Sequence, residues 1–316
     1  MIYDLSGKLI KTTYPDNYWV ENDYYAGKNL LYSVTGSDGE EYAAITNYTP
    51  SGKIKTMYHG NDSSTTYTYD ERSDKLYQIW TRDESYATIQ KKQYSYTNIG
   101  EISSITDLYN GVTYSYTYDN IGRLKTETNT GSYDAITLNY DSVGNITSKI
   151  IGNKTFTYYR DTSPAHAIDY IRYNSQYFDF SYDDNGNMTN GYDLTNTQSI
   201  QRRIISYNAD NMPTHVYHSS GTFAQFLYDG MGSRVKKSVG STHTYYIGDN
   251  FEISGGTSIK YIFAGNLRIA QVRGGTLSFF HKDHLGSSTV MTNASGIKIG
   301  STEYMPIRKC ESSDRG

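Results

Sequence analysis

Apolar and polar residues alternate along much of this chain with the two-residue period of β-strands. Tyr114, Tyr116 and Tyr118, for example, are separated by Ser115 and Thr117. In an extended backbone the tyrosines therefore point to one side and the hydroxyl residues to the other. No segment of useful length has the apolar spacing of an amphipathic helix. The pattern predicts an all-β protein.

The alternating segments end in a recurring phrase: Tyr, Asp, two variable residues, Gly, one more residue and an aliphatic. Clear copies occupy residues 3–9, 118–124, 140–146, 182–188 and 228–235. Clear or degenerate copies begin at Tyr3, Tyr25, Tyr48, Tyr69, Tyr96, Tyr118, Tyr140, Tyr159, Tyr182, Tyr207 and Tyr228. Most steps are near 22 residues, as from 118 to 140, which is room for two strands of about six residues and two turns. A fixed period indicates one small unit stacked many times.

An aspartate and a glycine stand three residues apart in the phrase, and this spacing predicts a turn. A type I turn favours Asp at its first position, where the carboxylate accepts backbone amides, and Gly at its fourth, where the backbone is left-handed. We therefore predict structural turn residues, not catalytic carboxylates, at Asp119, Gly122, Asp141, Gly144, Asp183, Gly186, Asp229 and Gly232. Between two copies, Asn110 and Gly111 predict a two-residue hairpin turn.

Tandem hairpins of this kind predict one long antiparallel meander. Because strand twist accumulates and exposed edges invite aggregation, we expect the meander to coil into a spiral or shell segment. Two copies span about 44 residues, close to a four-stranded propeller blade, so a propeller is the alternative architecture. Consecutive copies look alike and no Trp-Asp signature recurs, which favours the continuous meander.

Composition and charge exclude several classes of function. The 316 residues include 35 Tyr against 9 Phe and 2 Trp, and 29 basic against 33 acidic side chains give a net charge of −4. Without a Lys/Arg cluster there is no electrostatic footprint for nucleic acid or anionic lipid. One cysteine, Cys310, cannot form an internal disulfide. The sequence shows neither an apolar run long enough to span a membrane nor a signal peptide.

The usual signatures of catalysis and metal binding are absent or weak. There is neither a G-x-S-x-G elbow nor a G-x-x-x-x-G-K-[ST] loop. Residues 183–187 have the first three ligand spacings of a calcium loop, but Met188 stands where the sharp turn needs Gly. His281 and His284 lack a third zinc ligand. We predict no catalytic residue, no metal and no cofactor.

The repeated phrase resembles the YD repeats of the Rhs family, which insecticidal toxin-complex C subunits, wall-associated contact-inhibition proteins and animal teneurins share. Residues 228–306 resemble the Rhs repeat-associated core, and residues 281–288 resemble its most recognisable phrase. The core motif consists of Asp283, His284, Leu285, Gly286 and Ser287. The resemblance covers residues 1 to about 306.

The resemblance implies a hollow β-shell that encloses a variable C-terminal toxin. It divides the chain into a YD-repeat array (1–227), the repeat-associated core (228–306) and a divergent tail (307–316). Family members usually continue into a D-P-x-G-L self-cleavage motif, whereas here Glu303 and Tyr304 are followed by Met305 and Pro306. We therefore expect a C-terminally truncated fragment that lacks both the cleavage site and the toxin.

The hypothesis from the sequence is a non-catalytic shell segment of an Rhs/YD-repeat polymorphic toxin. Its partner would be the toxin domain of the longer protein, with secretion-apparatus or cell-surface components as further partners and no nucleic acid. The resemblance implies secretion or a cell-surface location. The first alternative is a cell-surface carbohydrate-binding or adhesion module, since aromatic faces stack on sugars. The second is a self-processing enzyme, which would need a scissile motif that the sequence lacks.

Overall fold

The computed structural model describes residues 1–160, 166–221 and 223–304, together with the backbone of 311–312. Within these residues the elements are all β-strands, in one sheet of 17 strands and one of 14. Wherever the register is defined, strands consecutive in the sequence pair antiparallel, as β11 does with β12 and β13 with β14. The all-β antiparallel meander is confirmed. The propeller alternative, which needs separate four-stranded blades, is wrong.

The first sheet contains β1 (Ile2–Tyr3), β2 (Leu9–Thr13), β3 (Trp19–Tyr24), β4 (Leu31–Gly36), β5 (Glu41–Tyr48), β6 (Ile54–His59), β7 (Ser64–Tyr69), β8 (Leu76–Arg82), β9 (Thr88–Tyr96), β10 (Ile102–Asp107), β11 (Val112–Tyr118), β12 (Leu124–Asn129), β13 (Ile136–Tyr140), β14 (Ile146–Ile151), β15 (Lys154–Tyr159), β16 (Tyr170–Tyr173) and β17 (Gln176–Asp179). The second sheet contains β18 (Ser181–Tyr182), β19 (Met188–Asp193), β20 (Gln201–Tyr207), β21 (Pro213–His218), β22 (Phe223–Tyr228), β23 (Arg234–Val239), β24 (Thr242–Tyr246), β25 (Phe251–Ser254), β26 (Thr257–Ala264), β27 (Leu267–Arg273), β28 (Thr276–Lys282), β29 (Ser288–Asn293), β30 (Lys298–Glu303) and β31 (Glu311–Ser312). None of the described residues forms a helix that could span a membrane.

The chain divides into two compact units. The first comprises residues 1–95, 106–111 and 247–316. In its core, strands of the first sheet pack face to face on strands of the second, and Val34 and Ile45 of one sheet share an apolar cluster with Ile262 and Phe279 of the other. These four side chains are almost completely buried, and each contributes roughly 1.5–3 kcal/mol to stability.

The second unit comprises residues 96–105 and 112–246, and its core is more aromatic. The rings of Phe156 and Tyr173 stack with centroids 4.7 Å apart, and Phe178 meets Tyr192 edge to face at 5.2 Å. Offset and edge-to-face ring pairs add about 0.5–1.5 kcal/mol to the stabilisation that burial alone gives. The excess of tyrosine in the sequence therefore reflects packing in this core as well as the turns described below.

Two local details differ from the sequence predictions. The copy expected at Tyr25 begins one residue earlier, because Tyr24 ends strand β3 and Tyr25 takes the place of the aspartate, with its carbonyl accepting the amide of Lys28. The connection between β10 and β11 spans four residues, 108–111. The prediction of a two-residue turn at Asn110 and Gly111 is therefore wrong. The carboxylate of the preceding Asp107 accepts the amides of residues 109 and 110 and widens the turn.

The predicted domain boundary between residues 227 and 228 stays a prediction. The tail predicted at 307–316 lies outside the described residues, apart from the backbone of 311–312. Residues 305–306 of the altered family motif and Cys310 also lie outside them. The turn that follows Tyr159 includes residues 161–165, which are outside the described part as well.

Candidate functional site: the YD turns and a buried polar seam

The turn after β11 shows what the Tyr-Asp-x-x-Gly phrase builds. The amide of Gly122 donates to the carbonyl of Asp119 at 3.0 Å, and the Asp119 amide donates to the Arg123 carbonyl at 2.9 Å. Oδ1 of Asp119 accepts the amides of Ile121 and Arg123 at 3.1 and 3.0 Å. Gly122 has φ +81°, a left-handed backbone that glycine adopts without a Cβ penalty. The carboxylate therefore holds the turn that glycine makes accessible.

The other predicted turn residues have the same arrangement. Each aspartate accepts the amides two and four residues further on, at Asp141, Asp183 and Asp229. Each glycine has positive φ, at Gly144, Gly186 and Gly232. Asparagine serves equally well at Asn208, whose Oδ1 accepts the amides of Asp210 and Met212. An amide oxygen is enough for this bonding, so the turn does not require a negative charge.

Hydrogen bonds lower the pKa values of the carboxyl groups of Asp119, Asp141 and Asp183. For Asp119 the main cause is the backbone amide of Arg123. For Asp141 and Asp183 the main cause is the side-chain amide of the residue that directly follows the glycine, Asn145 and Asn187 respectively. These carboxylates are ionised acceptors at neutral pH, and their oxygens are occupied by the turn itself.

In seven of the phrases the tyrosine hydroxyl bonds the turn to the preceding one, whereas the hydroxyl of Tyr182 donates to the carbonyl of Ile168, which lies outside the strands. The hydroxyl of Tyr118 donates to the carbonyl of Ile102, and that of Tyr140 donates to the carbonyl of Leu124, both at 2.8 Å. Each accepting residue is the first of the strand that leaves the preceding YD turn. The same bond joins Tyr24 to Leu9, Tyr48 to Leu31, Tyr69 to Ile54, Tyr207 to Met188 and Tyr228 to Pro213.

This tyrosine ladder is a function of the repeat that the sequence reasoning missed. Phenylalanine would supply ring packing equally well, yet the chain has 35 Tyr and 9 Phe. This excess of tyrosine over phenylalanine was the feature of the sequence that could have indicated a role for the hydroxyl group. Burial raises the pKa values of Tyr118 and Tyr140, so both phenols remain protonated donors at neutral pH. The strands that leave YD turns begin at a register irregularity, where the regular hydrogen bonding of the sheet is interrupted. The tyrosine hydroxyl gives the carbonyl at that position a hydrogen-bond donor.

The predicted core motif is a turn of the same kind. Oδ1 of Asp283 accepts the amides of Leu285 and Ser287 at 2.9 and 2.8 Å, and Gly286 has φ +81°. His284 is half-buried, its ring centroid lies 4.9 Å from that of Tyr94, and burial lowers its pKa. Leu285 is exposed at the turn tip. The structure thus brings Asp283, Gly286 and Ser287 together through backbone bonds.

A seam of buried polar side chains joins this motif to the first sheet within the first unit. Gln90 of β9 donates through Nε2 to the carbonyl of Lys282 at 3.2 Å, and its Oε1 accepts the hydroxyl of Thr289 at 2.7 Å. Asn61, which follows β6, donates to the hydroxyl of Thr292 at 2.9 Å and to the carbonyl of residue 293 at 2.8 Å. These bonds fix the two packed sheets in register.

Two histidines lie inside the seam. Nε2 of His59 is 3.3 Å from the hydroxyl of Thr65, and Nε2 of His281 is 2.9 Å from the hydroxyl of Thr292. The two imidazole rings meet edge to face, with centroids 4.8 Å apart. A cavity of about 10 Å³ lies beside them, roughly the space of one water molecule. Sequence reasoning considered His281 only together with His284 and did not anticipate its contact with His59, because the partner is more than 200 residues away in the chain.

No group of three or more His, Cys, Asp or Glu side chains suited to a metal ion occurs in the part of the chain that the structure describes. In the calcium-like segment, Asp183 binds Asn187 through both backbone and side chain, and Asn211 accepts the side-chain amides of Asn185 and Asn187. These oxygens serve hydrogen bonds that connect two neighbouring turns.

The fold and the turns define an all-β protein of tandem YD hairpins, and the same fold occurs in solved toxin-complex structures. No known family model matches the chain, and no curated protein is similar to it in sequence. The Photorhabdus luminescens Tc holotoxin pore with a TccC3 mutation matches 96% of this chain and 17% of its own, with a TM-score of 0.70 and 19% identity.

Crystal structures of TcdB2–TccC3 assemblies show the same fold similarity to this chain. TcdB2–TccC3–TEV matches 96% of this chain and 18% of its own, with a TM-score of 0.70 and 19% identity. TcdB2–TccC3 without its hypervariable C-terminal region matches 98% of this chain and 18% of its own, at a TM-score of 0.66 and 16% identity. The chain thus spans less than a fifth of the length of these solved chains. At this identity the similarity establishes the fold, which is the one that the resemblance to YD-repeat proteins implies.

Proposed function

We propose that this chain is a non-catalytic β-shell segment of an Rhs/YD-repeat toxin, and that in the longer protein it helps to enclose a C-terminal toxin domain. The observation that carries the proposal is the match of 96% of the chain, at a TM-score of 0.70, to part of a Tc holotoxin chain. The proposed mechanism is steric: a wall of β-sheet keeps the toxin domain away from its targets. The proposal includes secretion or a cell-surface location.

The chemistry of the described residues supports a structural role. The Asp119 and Asp141 carboxylates accept the backbone amides of their own turns, and the phenol of Tyr140 donates to a carbonyl of the repeat before it. Because these groups are hydrogen-bonded to the backbone of the repeats, they stabilise the β-structure of the shell. The polar seam of Asn61 and Gln90 likewise connects sheet to sheet.

A fusion experiment tests enclosure. A reporter domain rich in trypsin sites is joined after the last residue of the full chain, and the half-life of the reporter under limited proteolysis is measured. The control is the same reporter mixed with the separate chain. Enclosure predicts a half-life at least about tenfold longer in the fusion, because a walled cargo is cleaved only when the wall opens. Equal half-lives would refute enclosure by this segment.

A second candidate function, carbohydrate binding or adhesion, is supported by an aromatic surface on the second unit. The ring of Tyr217, which is 47% exposed, stacks on Phe223 with centroids 4.7 Å apart, and His215 stacks on Phe223 at 5.5 Å. An exposed ring held by stacking offers a flat face of the kind that sugars contact. Saturable binding on a glycan array that Tyr217→Ala abolishes and Tyr177→Ala leaves unchanged would support this function, and an array without binding would exclude it.

A further inference from the structure

The two buried histidines of the first unit form a contact that the shell role does not explain. His59 lies on β6 and His281 on β28, in two sheets that pack face to face, and they are 5% and 1% exposed. Their rings meet at 4.8 Å. Each uses Nε2 for a threonine hydroxyl, and the Nδ1 atom of each has no hydrogen-bond partner among the described residues.

Charged and titratable groups on the surrounding strands do not offer a counter-ion to this pair. On β6, β28 and the strands paired with them, these groups are Glu41, Tyr42 and Tyr48 on β5, Lys55 and Tyr58 on β6, Tyr67 and Tyr69 on β7, Arg268 and Arg273 on β27 and Lys282 on β28, with Asp283 directly after β28. The only carboxylate on these strands, that of Glu41, belongs to an exposed residue. Lys282 lines the same cavity and donates to the hydroxyl of Ser288 at 2.7 Å. The carboxylate of Asp283 accepts the amides of its own turn. The remaining residues that line the cavity are uncharged: Met57, Thr65, Tyr67, Leu267, Ile269 and Phe280.

We propose that His59 and His281 form an acid-sensitive latch, which holds the two packed sheets of the first unit together while both imidazoles are neutral and releases them when either is protonated. A proton on one ring places a positive charge in an apolar core, beside a second imidazole and near an ammonium group. Because a buried charge without a partner is strongly unfavourable, the favoured response is to expose the ring by separating β6 from β28.

The direction of the pH effect follows from burial. Burial lowers the pKa of His59 from 6.5 to about 4, and burial together with the nearby His59 lowers the pKa of His281 well below its usual value. In the opened unit both imidazoles return to the ordinary value near 6.5. The opened form therefore binds more protons as the pH falls below 6.5, and the closed form loses stability from that point down to the closed-state pKa.

Hydrogen exchange tests the latch. Protection factors of peptides from β6 and β28 are measured by mass spectrometry at pH 7 and pH 5, with peptides from β15 and β16 of the second unit as an internal reference. For one latch histidine the linkage predicts a loss of protection of at least about tenfold between these pH values. The β15 and β16 peptides should change much less. No greater loss of protection in β6 and β28 than in the reference peptides would overturn the proposal.

The matched variants are His59→Gln and His281→Gln, separately and together. Glutamine cannot be protonated in this range, and its amide can keep the bond made by Nε2. The double variant should retain its protection at pH 5, while His243→Gln, an exposed histidine of the second unit, should open like the unmodified chain. Opening of the double variant to the same extent as the unmodified chain would refute the latch.

Where a variant does not fold, nuclear magnetic resonance on the unmodified chain decides the question. Two-bond ¹H–¹⁵N correlations report the protonation of each imidazole. The latch requires that the imidazoles of His59 and His281 become protonated over the same pH range in which β6 and β28 lose protection. Protonation of both rings without any loss of protection would refute it, and so would loss of protection while both remain neutral.

Discussion

The phenolic oxygen of Tyr140 donates a 2.8 Å hydrogen bond to the carbonyl of Leu124, sixteen residues earlier in the chain. Tyr140 closes one strand and Leu124 opens the strand that leaves the preceding turn. The guanidinium of Arg123, from that preceding turn, lies 4.4 Å from the centre of the Tyr140 ring and donates to the carbonyl of Asp141 at 3.2 Å. Consecutive turns are therefore bonded side by side as well as through the sheet.

The first prediction concerns this tyrosine ladder. Tyr140→Phe keeps the ring and removes the donor, so a partly buried carbonyl loses its partner. We expect a loss of about 1 kcal/mol in the free energy of unfolding, measured by urea denaturation. The control is Tyr177→Phe, because Tyr177 is 59% exposed and its hydroxyl makes no hydrogen bond among the described residues. Equal effects of the two substitutions would show that the ladder bond contributes nothing.

The second prediction separates backbone strain from crowding at a turn glycine. Gly186 has φ +83°, and a Cβ added to it would meet no atom within 4 Å. Gly186→Ala should therefore cost roughly 1–2 kcal/mol of stability from the left-handed backbone alone. Gly186→Asn should cost less, because asparagine tolerates this conformation better. Gly230→Ala is the matched control, since Gly230 has equally open space and no positive φ. A comparable loss at Gly230 would remove the strain explanation.

Much of this turn chemistry could be predicted from the sequence because it is local. The spacing of Asp119 and Gly122 determines which amides the carboxylate can reach, whatever the rest of the chain does. The polar seam could not be predicted in this way. Asn61 and Thr292 are 231 residues apart, and their contact depends on how the two sheets pack. A buried asparagine before an ordinary turn has no signature that distinguishes it from an exposed one.

The same contrast explains the two local errors. Adjacent tyrosines at 24 and 25 are equivalent in the repeat pattern, and only pairing within the sheet decides which one ends the strand. The Asn110–Gly111 prediction relied on the two central residues alone. The carboxylate of Asp107 overrode them by accepting two amides, and Asp107 is itself fixed by a partly buried ion pair with Lys92 at 3.0 Å.

The third prediction is the acid behaviour of the turns. Because the folded chain lowers the pKa values of Asp119, Asp141 and Asp183, their contribution to stability is complete above the unfolded value near 3.9 and is lost as the pH falls through the lower folded values. Carboxyl ¹³C titrations should give midpoints below 3.9 for all three. The window lies below that of the histidine latch, so the two transitions can be told apart. Midpoints at or above 3.9 would contradict this account.

A substitution pair at one turn complements the titration. Asp141→Asn should preserve most of the stability at pH 7, since asparagine occupies the same place at Asn208 and accepts the same amides. Asp141→Ala leaves the amides of Val143 and Asn145 without their acceptor and should lower the urea midpoint. If alanine and asparagine lower the midpoint equally, charge matters here and the hydrogen bonds do not.

The last prediction tests whether the polar seam holds the first unit together. Asn61 is 5% exposed; it donates to the hydroxyl of Thr292 and to a backbone carbonyl, and it accepts the hydroxyl of Ser63 at 2.7 Å. Asn61→Ala removes these three bonds, while the Thr292 hydroxyl keeps His281 and the carbonyl of residue 293 keeps the amide of Gly296. We expect a cost of about 1–3 kcal/mol. Asn266→Ala, in an exposed turn of the same unit, should change stability by less than about 0.5 kcal/mol. The measurement is urea denaturation of both variants, followed by hydrogen exchange of β29. We expect Asn61→Ala to lower the protection of β29 more than that of β15, because the lost bonds end on Thr292; a uniform loss across both strands would mean that Asn61 stabilises the chain without linking these two sheets.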